Sequence, residues 1–443
     1  MVKKEFVDYK EFLQFAYKNK NKIISFKYYD NHLYSFKTNN LNCKFLYNNG
    51  VLTPNKFVSL LGFENYNAFI HKKFSKLKEY AKTKQDAQKW YNGYFGGLVG
   101  INKDIVNNYI GFGEVNDFYD YDINKAYLYQ LTQFIPTKFI SEMTVEDFNK
   151  LTEMEKMPYF YFFEIELKTI QGKFLKAIGH IKSVYRSFDF LNTKQNEKMV
   201  VSEKRLNLIN QIYFNDYVIK KVYVFAKGKY KFYENILNRY CELKNNYGAE
   251  FKKNALRLYG TLGQINKTIP TKFDFDADGN LMVFYKHELN FDAMPQVSMW
   301  VADSVALMLF DIISNHLDSV ICWNTDGLTS LKPLGLQVSK QCGRWKLKKI
   351  KAIPFLFNET GARLFFKDIE TNEIYGANNI VEQDNKFFEM VEISKSNLNN
   401  GFVIEKRLYE IKKDLIFDNN KTFRNQIIRE NFREEIIREY EKF

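Results

Sequence analysis

Cysteine and histidine are scarce in this chain, and their scarcity closes off two classes of protein at once. Its 443 residues include four cysteines and five histidines. Cys43, Cys241, Cys322 and Cys342 form no CxxC pair and lie apart from the histidines, so neither a zinc site nor a disulfide-stapled scaffold is supported. Reduced thiols are expected. Long hydrophobic runs are also missing. No stretch approaches about 18 uncharged apolar residues, and the nearest, VSMWVADSVALMLFDII, is interrupted by Asp303 and Asp311 and reads as a buried helix. The start, MVKKEFVDYKEF, has no apolar leader-type segment. A soluble cytoplasmic protein with no membrane partner is therefore expected. Acidic residues are the minority charge, 52 Asp and Glu against 65 Lys and Arg, for a formal net charge of +13. That balance favours a polyanionic partner.

What is present is organised around FYDYDINKAYLYQL. Phe118, Tyr119, Tyr121 and Ile123 have strong strand propensity and NKAYLYQL turns helical, so Asp122 stands at a strand end. A carboxylate there is well placed to hold a hard cation, although an aromatic strand with a capping Asp has the same pattern. Two later stretches add to it. KKNALRLYGTLG, Lys252 to Gly263, is a helical run with a basic side and an aromatic-glycine step at Tyr259 and Gly260. VICWNTDGLTS is an apolar strand ending in Asn324, Thr325, Asp326 and Gly327.

In this order the three stretches resemble the polymerase motifs of family B DNA polymerases, and within that family the protein-primed polymerases of phages and linear plasmids. YDINKAYL supplies Asp122, Asn124 and Tyr127 of the first motif, with Lys125 in place of a Ser and Leu128 in place of a Pro. The second motif is matched by Lys252, Tyr259 and Gly260 but lacks its Asn-Ser pair. The third keeps Thr325 and Asp326, while Asn324 stands where its first Asp would be. Upstream, WYNGYFGGLVGI carries Tyr94, Phe95, Gly96 and Gly97, similar to the Tyr-any-Gly-Gly template-contact motif of the subgroup. Glycines there let backbone amides approach a phosphate.

The resemblance implies a chemistry. Two Mg2+ ions about 4 Å apart, replaceable by Mn2+, would be held by Asp122, Asp326 and the Ile123 carbonyl. Lys252 would pair with the triphosphate and protonate the leaving group, with Lys244 as a second nucleotide-binding lysine. Tyr127 would exclude ribonucleotides by bulk, and Tyr259 would stack near the nascent base pair. Tyr94, Gly96, Gly97 and Gly260 would contact DNA. The implied partners are a DNA template and primer, dNTPs and, by subgroup analogy, a terminal priming protein. A proofreading exonuclease is not expected, because no Asp-any-Glu precedes Asp122 and Tyr80 to Asp86 has the wrong spacing.

Elsewhere the pattern is coarser. EFVDYKEFLQFAYKN reads as a helix, IISFKYYDNHLYSFK and CKFLYN as strands, and VSLLGFENYNAFIHKKF as a helix. HKKFSKLKEYAKTKQDAQKW, with Lys72, Lys73, Lys76, Lys78, Lys82, Lys84 and Lys89, reads as a basic helix that is either merely solvated or touches nucleic acid or a protein. MPYFYFFEIELKTI and DYVIKKVYVFAKG read as strands flanking the helix SEKRLNLINQIYF. YKFYENILNRYCELKNN and AEFKKNALRLYG read as two helices broken at Tyr247-Gly248. Asp274, Asp276, Asp278 and Gly279 have calcium-loop spacing, but Tyr285 occupies the twelfth position, so TKFDFDADGNLMVFYKHE is expected to be a β-hairpin. QCGRWKLKKIKAI suggests a strand with one cationic face, including Arg344 and Lys346, that either follows a duplex backbone or is merely solvated. Arg363 and Lys367 follow as primer contacts. From Phe387 the pattern reads as mostly helical.

The expected fold is α/β (α+β): a right hand with an antiparallel palm sheet, helical fingers and a small thumb. Residues 1–88 form an N-terminal domain whose role the sequence leaves open, nucleic-acid or partner binding being one option, 89–340 the palm and fingers, and 341–443 the thumb and C-terminal helices. A template-directed DNA polymerase is the leading expectation. The alternatives are an inactive polymerase-derived DNA-binding or initiation protein, and a template-independent nucleotidyltransferase.

Overall fold

Aromatic and β-branched residues make the stretch around Asp122 a strand, and two antiparallel neighbours place it in the middle of the largest sheet. The computed structural model describes residues 2–29, 32–45, 66–102, 105, 110, 114–172, 198–275, 281–358, 363–372, 374–375, 380–383, 386–397, 401–411 and 434–435.

At the N-terminal end, β1 (Val2–Phe6), β2 (Ser25–Tyr29), β3 (His32–Lys37) and β4 (Leu41–Phe45) form a sheet in the order β1-β4-β3-β2, with β1 parallel to β4. Part of this departs from the sequence expectation. Glu5 and Phe6 belong to β1, and the helix starts only at Tyr9, where the Asp8 carboxylate accepts from the Glu11 amide at 2.8 Å. An extended Asp at an N-cap ends the strand and begins the helix in one residue. Phe6, Phe12, Phe36 and Phe45 then share a core with Phe273, Phe275 and Val283.

The basic run from His71 to Trp90 is not one helix. Helix Tyr66–Lys73 stops, a short turn covers Leu77–Glu79, and a second helix runs Lys84–Asn92. Buried Phe74, Leu77, Tyr80 and Ala81 pull the middle into the main core with Trp90 and Tyr127. The Thr83–Asp86 capping box starts the new helix. The upstream part of the helical pattern, residues 58–65, lies outside the described residues.

The largest sheet collects β5 (Leu98–Ile101), β6 (Asn116–Ile123), β13 (Val320–Thr325), β14 (Gly327–Ser330), β15 (Trp345–Asn358), β16 (Arg363–Asp368) and β17 (Ile374–Tyr375). Its order is β17-β16-β15-β6-β14-β13-β5, antiparallel throughout. Because side chains alternate, Phe118, Asp120 and Asp122 share one face of β6 while Tyr119, Tyr121 and Ile123 share the other. Registered on the first face are Lys346 and Gly327 beside Asp122, Lys348 and Thr329 beside Asp120, and Ile350 beside Phe118. The face is apolar at one end and ionic at the other. Against the second face packs the helix Pro295–Asn315, whose Leu309, Phe310 and Ile313 share a core with Tyr121, Trp323 and Leu328. This helix is long and apolar enough to span a membrane, but 72% of its apolar window is buried inside the fold.

A second sheet joins β7 (Ile135–Met143), β8 (Tyr159–Gly172), β9 (Lys198–Ser202) and β10 (Tyr213–Gly228) in the order β7-β10-β8-β9. The expected hairpin is present as β11 (Asn266–Phe275) paired with β12 (Leu281–Leu289). The helical break moves. Helix Lys231–Asn238 ends at Arg239, and one continuous helix runs from Tyr240 to Leu262 through Gly248. A glycine weakens a helix interior by about 1 kcal/mol without breaking it. Arg239, whose guanidinium meets Glu242 at 3.0 and 3.1 Å, makes the corner instead.

The expected C-terminal helices are replaced by strands where the chain is described. β18 (Ile380–Gln383), β19 (Lys386–Asn397) and β20 (Gly401–Ile411) extend the hairpin sheet, with β20 beside β12. The aromatic and β-branched content of FFEMVEI and GFVIEKRLY outweighs its helical spacing. Of FRNQIIRENFREEIIREYEKF, only Glu434 and Glu435 are described, as a short strand against β20.

Candidate active site

Asp326 sits in the turn between β13 and β14. Asn324 and Gly327 pair across it, leaving Thr325 and Asp326 as a two-residue loop. Such turns need positive φ and favour glycine, yet Thr325 has φ 59°. Its hydroxyl donates to the Asp326 carboxylate at 2.9 Å, and the Asp326 amide donates to the Asn324 carbonyl at 2.8 Å. A β-branched residue in this region is strained, and strain of this kind gathers at functional sites. β14 then returns along β6 with Gly327 opposite Asp122, and the Ile123 amide donates to the Asp326 carbonyl at 2.9 Å. The two carboxylates thus emerge at one end of adjacent strands. Lys125, just past Asp122, also has positive φ, 55°.

The local charge is unbalanced. Burial first, and then the neighbouring Asp122, push the Asp326 carboxyl up to about 6. Burial also raises Asp120 to about 6, against a 3.2 Å hydrogen bond from the Thr329 hydroxyl. The cation nearest Asp122 is Lys346, whose ammonium is ion-paired with it. Lys348, on the same face, lies 3.7 Å from Asp368, while Lys349 points to the opposite face and pairs with Asp117 at 3.4 Å. β15 therefore carries cations on both faces, because Lys348 and Lys349 are sequence neighbours, and it does not present the single cationic face expected from sequence. Among the described residues no three His, Cys, Asp or Glu side chains converge as a metal-holding group. Two carboxylates with backbone oxygens and water are the donors that suit Mg2+ or Mn2+.

Beside the carboxylates stands an aromatic pair. Tyr127, buried in the helix Ala126–Leu131, stacks on Tyr259 with ring centroids 4.4 Å apart and planes within 4°. The Tyr127 hydroxyl is hydrogen-bonded to Thr325, and burial raises both phenols, Tyr259 to about 12. The glycines of YFGG explain themselves here. A Cβ on Gly97 would lie 2.8 Å from the Tyr127 hydroxyl and 2.9 Å from the Thr325 Cα, and Gly96 has φ +71°. β5 follows directly and pairs Leu98 with Thr325. Tyr94 lies against Gly263, whose added Cβ would meet its ring at 3.2 Å. The YFGG turn, the Asp122 motif, the Tyr259 helix and the Asp326 turn are thereby joined.

One supporting group escaped the sequence reading. Arg205, fully buried, donates from Nη2 to the Gly96 carbonyl at 2.9 Å and pairs with Asp303 at 2.6 Å. The Ser202 hydroxyl donates to the other Asp303 oxygen at 2.5 Å. The signal was Asp303 itself, a carboxylate inside an apolar run, which must find a buried cation.

Other expected residues are less gathered. Lys244 and Lys252 lie on the same long helix as Tyr259; Lys244 is exposed, and the Lys252 side chain lies outside the described residues, as does that of Arg363 on β16. Among the described residues, and apart from its own helix backbone, nothing comes within 4 Å of a Cβ placed on Gly260. Arg344 is exposed, and its carbonyl accepts from the Asn124 amide at 2.9 Å.

The fold has counterparts among solved structures. Phi29 DNA polymerase complexed with single-stranded DNA matches with a TM-score of 0.51 at 14% identity, over 83% of this chain and 60% of that one. Its orthorhombic crystal form gives 0.47 at 14%, over 84% and 62%. The fold is similar to that of a DNA polymerase. The chain spans about three fifths of the length of the first of those structures. No protein-family model matches it, and no curated protein matches by sequence.

Proposed function

We propose that the chain is a template-directed DNA polymerase that adds dNTPs to a 3'-hydroxyl, or to a priming protein hydroxyl, without 3'-5' proofreading of its own. The observation that carries this is the convergence of Asp122 and Asp326 at one sheet end with the Tyr127–Tyr259 stack and the YFGG turn. The likeness to phi29 DNA polymerase supports a polymerase-like or DNA-binding protein.

In this proposal Asp122, Asp326 and the Ile123 carbonyl hold divalent magnesium. The residues present fit it, since burial and the neighbouring Asp122 push the Asp326 carboxyl up, a penalty that a bound divalent cation would relieve. When bound, the metal lowers the barrier by activating the attacking hydroxyl and neutralising the departing pyrophosphate. The chain's own groups do the rest. Tyr127, fixed by its stack and by Thr325, limits the room beside a bound sugar. The amides around Gly96 and Gly97 meet a template backbone. Lys244 and Lys252 supply charge for a triphosphate from one helix, and Tyr259 flanks the base. Arg344, Lys346, Gly260 and Arg363 lie along the DNA path.

A second reading is a retired polymerase retained for DNA binding, favoured by Asn324 in place of a carboxylate and by Lys346 seated on Asp122. Extension of a labelled primer on a DNA template with Mg2+ and dNTPs separates the two. Templated products support the polymerase; DNA binding with no synthesis, also with Mn2+, supports the second. Products that form equally without template would indicate a template-independent transferase.

A further inference from the structure

Three residues that the polymerase proposal does not use meet beside the site. The Lys125 ammonium lies 3.5 Å from the Cys342 sulfur and 3.9 Å from the Cys241 sulfur, and 4.4 Å from the centre of the Tyr240 ring. Cys241 stands in the first turn of the helix Tyr240–Leu262 and is exposed, and Cys342 is half-buried in the loop before β15. That loop is held in place. The Gly343 amide donates to the Asn124 carbonyl at 2.8 Å, the Asn124 side chain donates to the Lys340 carbonyl at 2.6 Å, and a Cβ on Gly343 (φ +75°) would strike the Tyr129 ring. Lys125 has a left-handed backbone, and its ammonium lies within 3.9 Å of both sulfurs.

We propose that Cys241 and Cys342 are an oxidant-responsive pair that closes into an intramolecular disulfide, with Lys125 as the positioning group between them. A hydroperoxide is the oxidant. The Cys241 thiolate attacks its terminal oxygen and breaks the O–O bond, giving a sulfenic acid and releasing alkoxide, or hydroxide from hydrogen peroxide; the Cys342 thiol then displaces that oxygen as water, forming the S–S bond. Two thiols lose two electrons and the peroxide gains them. The Lys125 ammonium offers a counter-charge to either sulfur in turn and withdraws as the bond forms. The other two cysteines are unsuited to this chemistry. Burial pushes the Cys322 thiol up to about 12 and also raises Cys43, leaving both without ready thiolate. The closed bond ties the first turn of the helix that carries Tyr259 to the segment that carries Lys346.

The test is peptide mapping of the full chain after hydrogen peroxide treatment and alkylation under denaturing conditions, with neither DNA nor nucleotide added. Its outcome is therefore independent of whether the chain polymerises. The expected result is a Cys241–Cys342 cross-linked peptide two hydrogens lighter than its parts, released by dithiothreitol and absent from Cys241→Ser. Lys125→Met should slow its formation by about tenfold, because the ammonium that contacts both sulfurs and holds them together is gone. Sulfinic acid on Cys241 with Cys342 still alkylated, or Cys241 bridging two molecules, would overturn the pair. An unchanged rate in Lys125→Met would overturn the part given to Lys125.

Discussion

Lys346 on β15 sits directly across from Asp122 on β6, and its ammonium is ion-paired with that carboxylate. Asp326, on the other side of β6, is held up to about 6 by burial and by Asp122. The site thus has one neutralised carboxylate and one that resists ionisation, the condition a divalent cation relieves.

The first prediction concerns stability against pH. The Asp326 carboxyl binds its proton more tightly when folded than at its ordinary value of 3.8. The folded state therefore holds more protons between that value and about 6, and its stability falls as pH rises across this window. Asp326→Asn removes the penalty. Chemical denaturation in EDTA should find the variant about 1–2 kcal/mol more stable than wild type at about pH 7.5 and nearly equal at about pH 4. A variant less stable at the higher pH would contradict the assignment.

Metal should act on the fold itself. Millimolar Mg2+ at about pH 7.5 is expected to raise the melting temperature of the wild type, since a ligand that binds only the native state stabilises it. Asp122→Ala and Asp326→Ala should show no such rise. Equal shifts in all three proteins would place the ion elsewhere.

Two glycines should behave oppositely. Gly97→Ala forces a methyl against the Tyr127 hydroxyl and the Thr325 backbone, and should cost about 1–3 kcal/mol and weaken template binding. Gly260→Ala meets nothing among the described residues outside its own helix backbone and lies inside a helix, so it should stabilise by about 0.5–1 kcal/mol. Denaturation midpoints decide this, and a DNA affinity lost in Gly260→Ala alone would reveal close backbone approach at that position.

Sugar selection should reside in Tyr127. Tyr127→Ala is expected to raise ribonucleotide incorporation relative to deoxynucleotide by about tenfold or more, because it opens space beside Tyr259. An unchanged ratio in single-nucleotide extension would remove Tyr127 from that role.

In the candidate site, the parts legible in the sequence are the local ones. Asp122, Tyr127, Gly97 and Asp326 each lie at a turn whose chemistry is written in a few neighbouring residues, and the alternation in FYDYDI marked the central strand. Partners distant in sequence were not visible. Lys346 looked like one of a row of surface cations because its register against Asp122 is set by tertiary pairing, and Arg205 looked like an ordinary helical cation because Asp303 lies 98 residues away. The break at Arg239 was hidden by a glycine that suggested another place for it. The C-terminal segment spaces its apolar residues like a helix, but its aromatic and β-branched content prevails and makes strands, with β20 beside β12.

Primer extension by wild type, Asp122→Ala and Asp326→Ala on one DNA template, with Mg2+ and dNTPs, tests the central claim most directly. Templated extension by the wild type is expected, with at least a roughly thousandfold loss in both variants, about 4 kcal/mol of barrier. Extension that survives in either variant, or a wild type that binds the primer-template and never extends it, would contradict the assignment of Asp122 and Asp326 as the metal-holding pair of a polymerase.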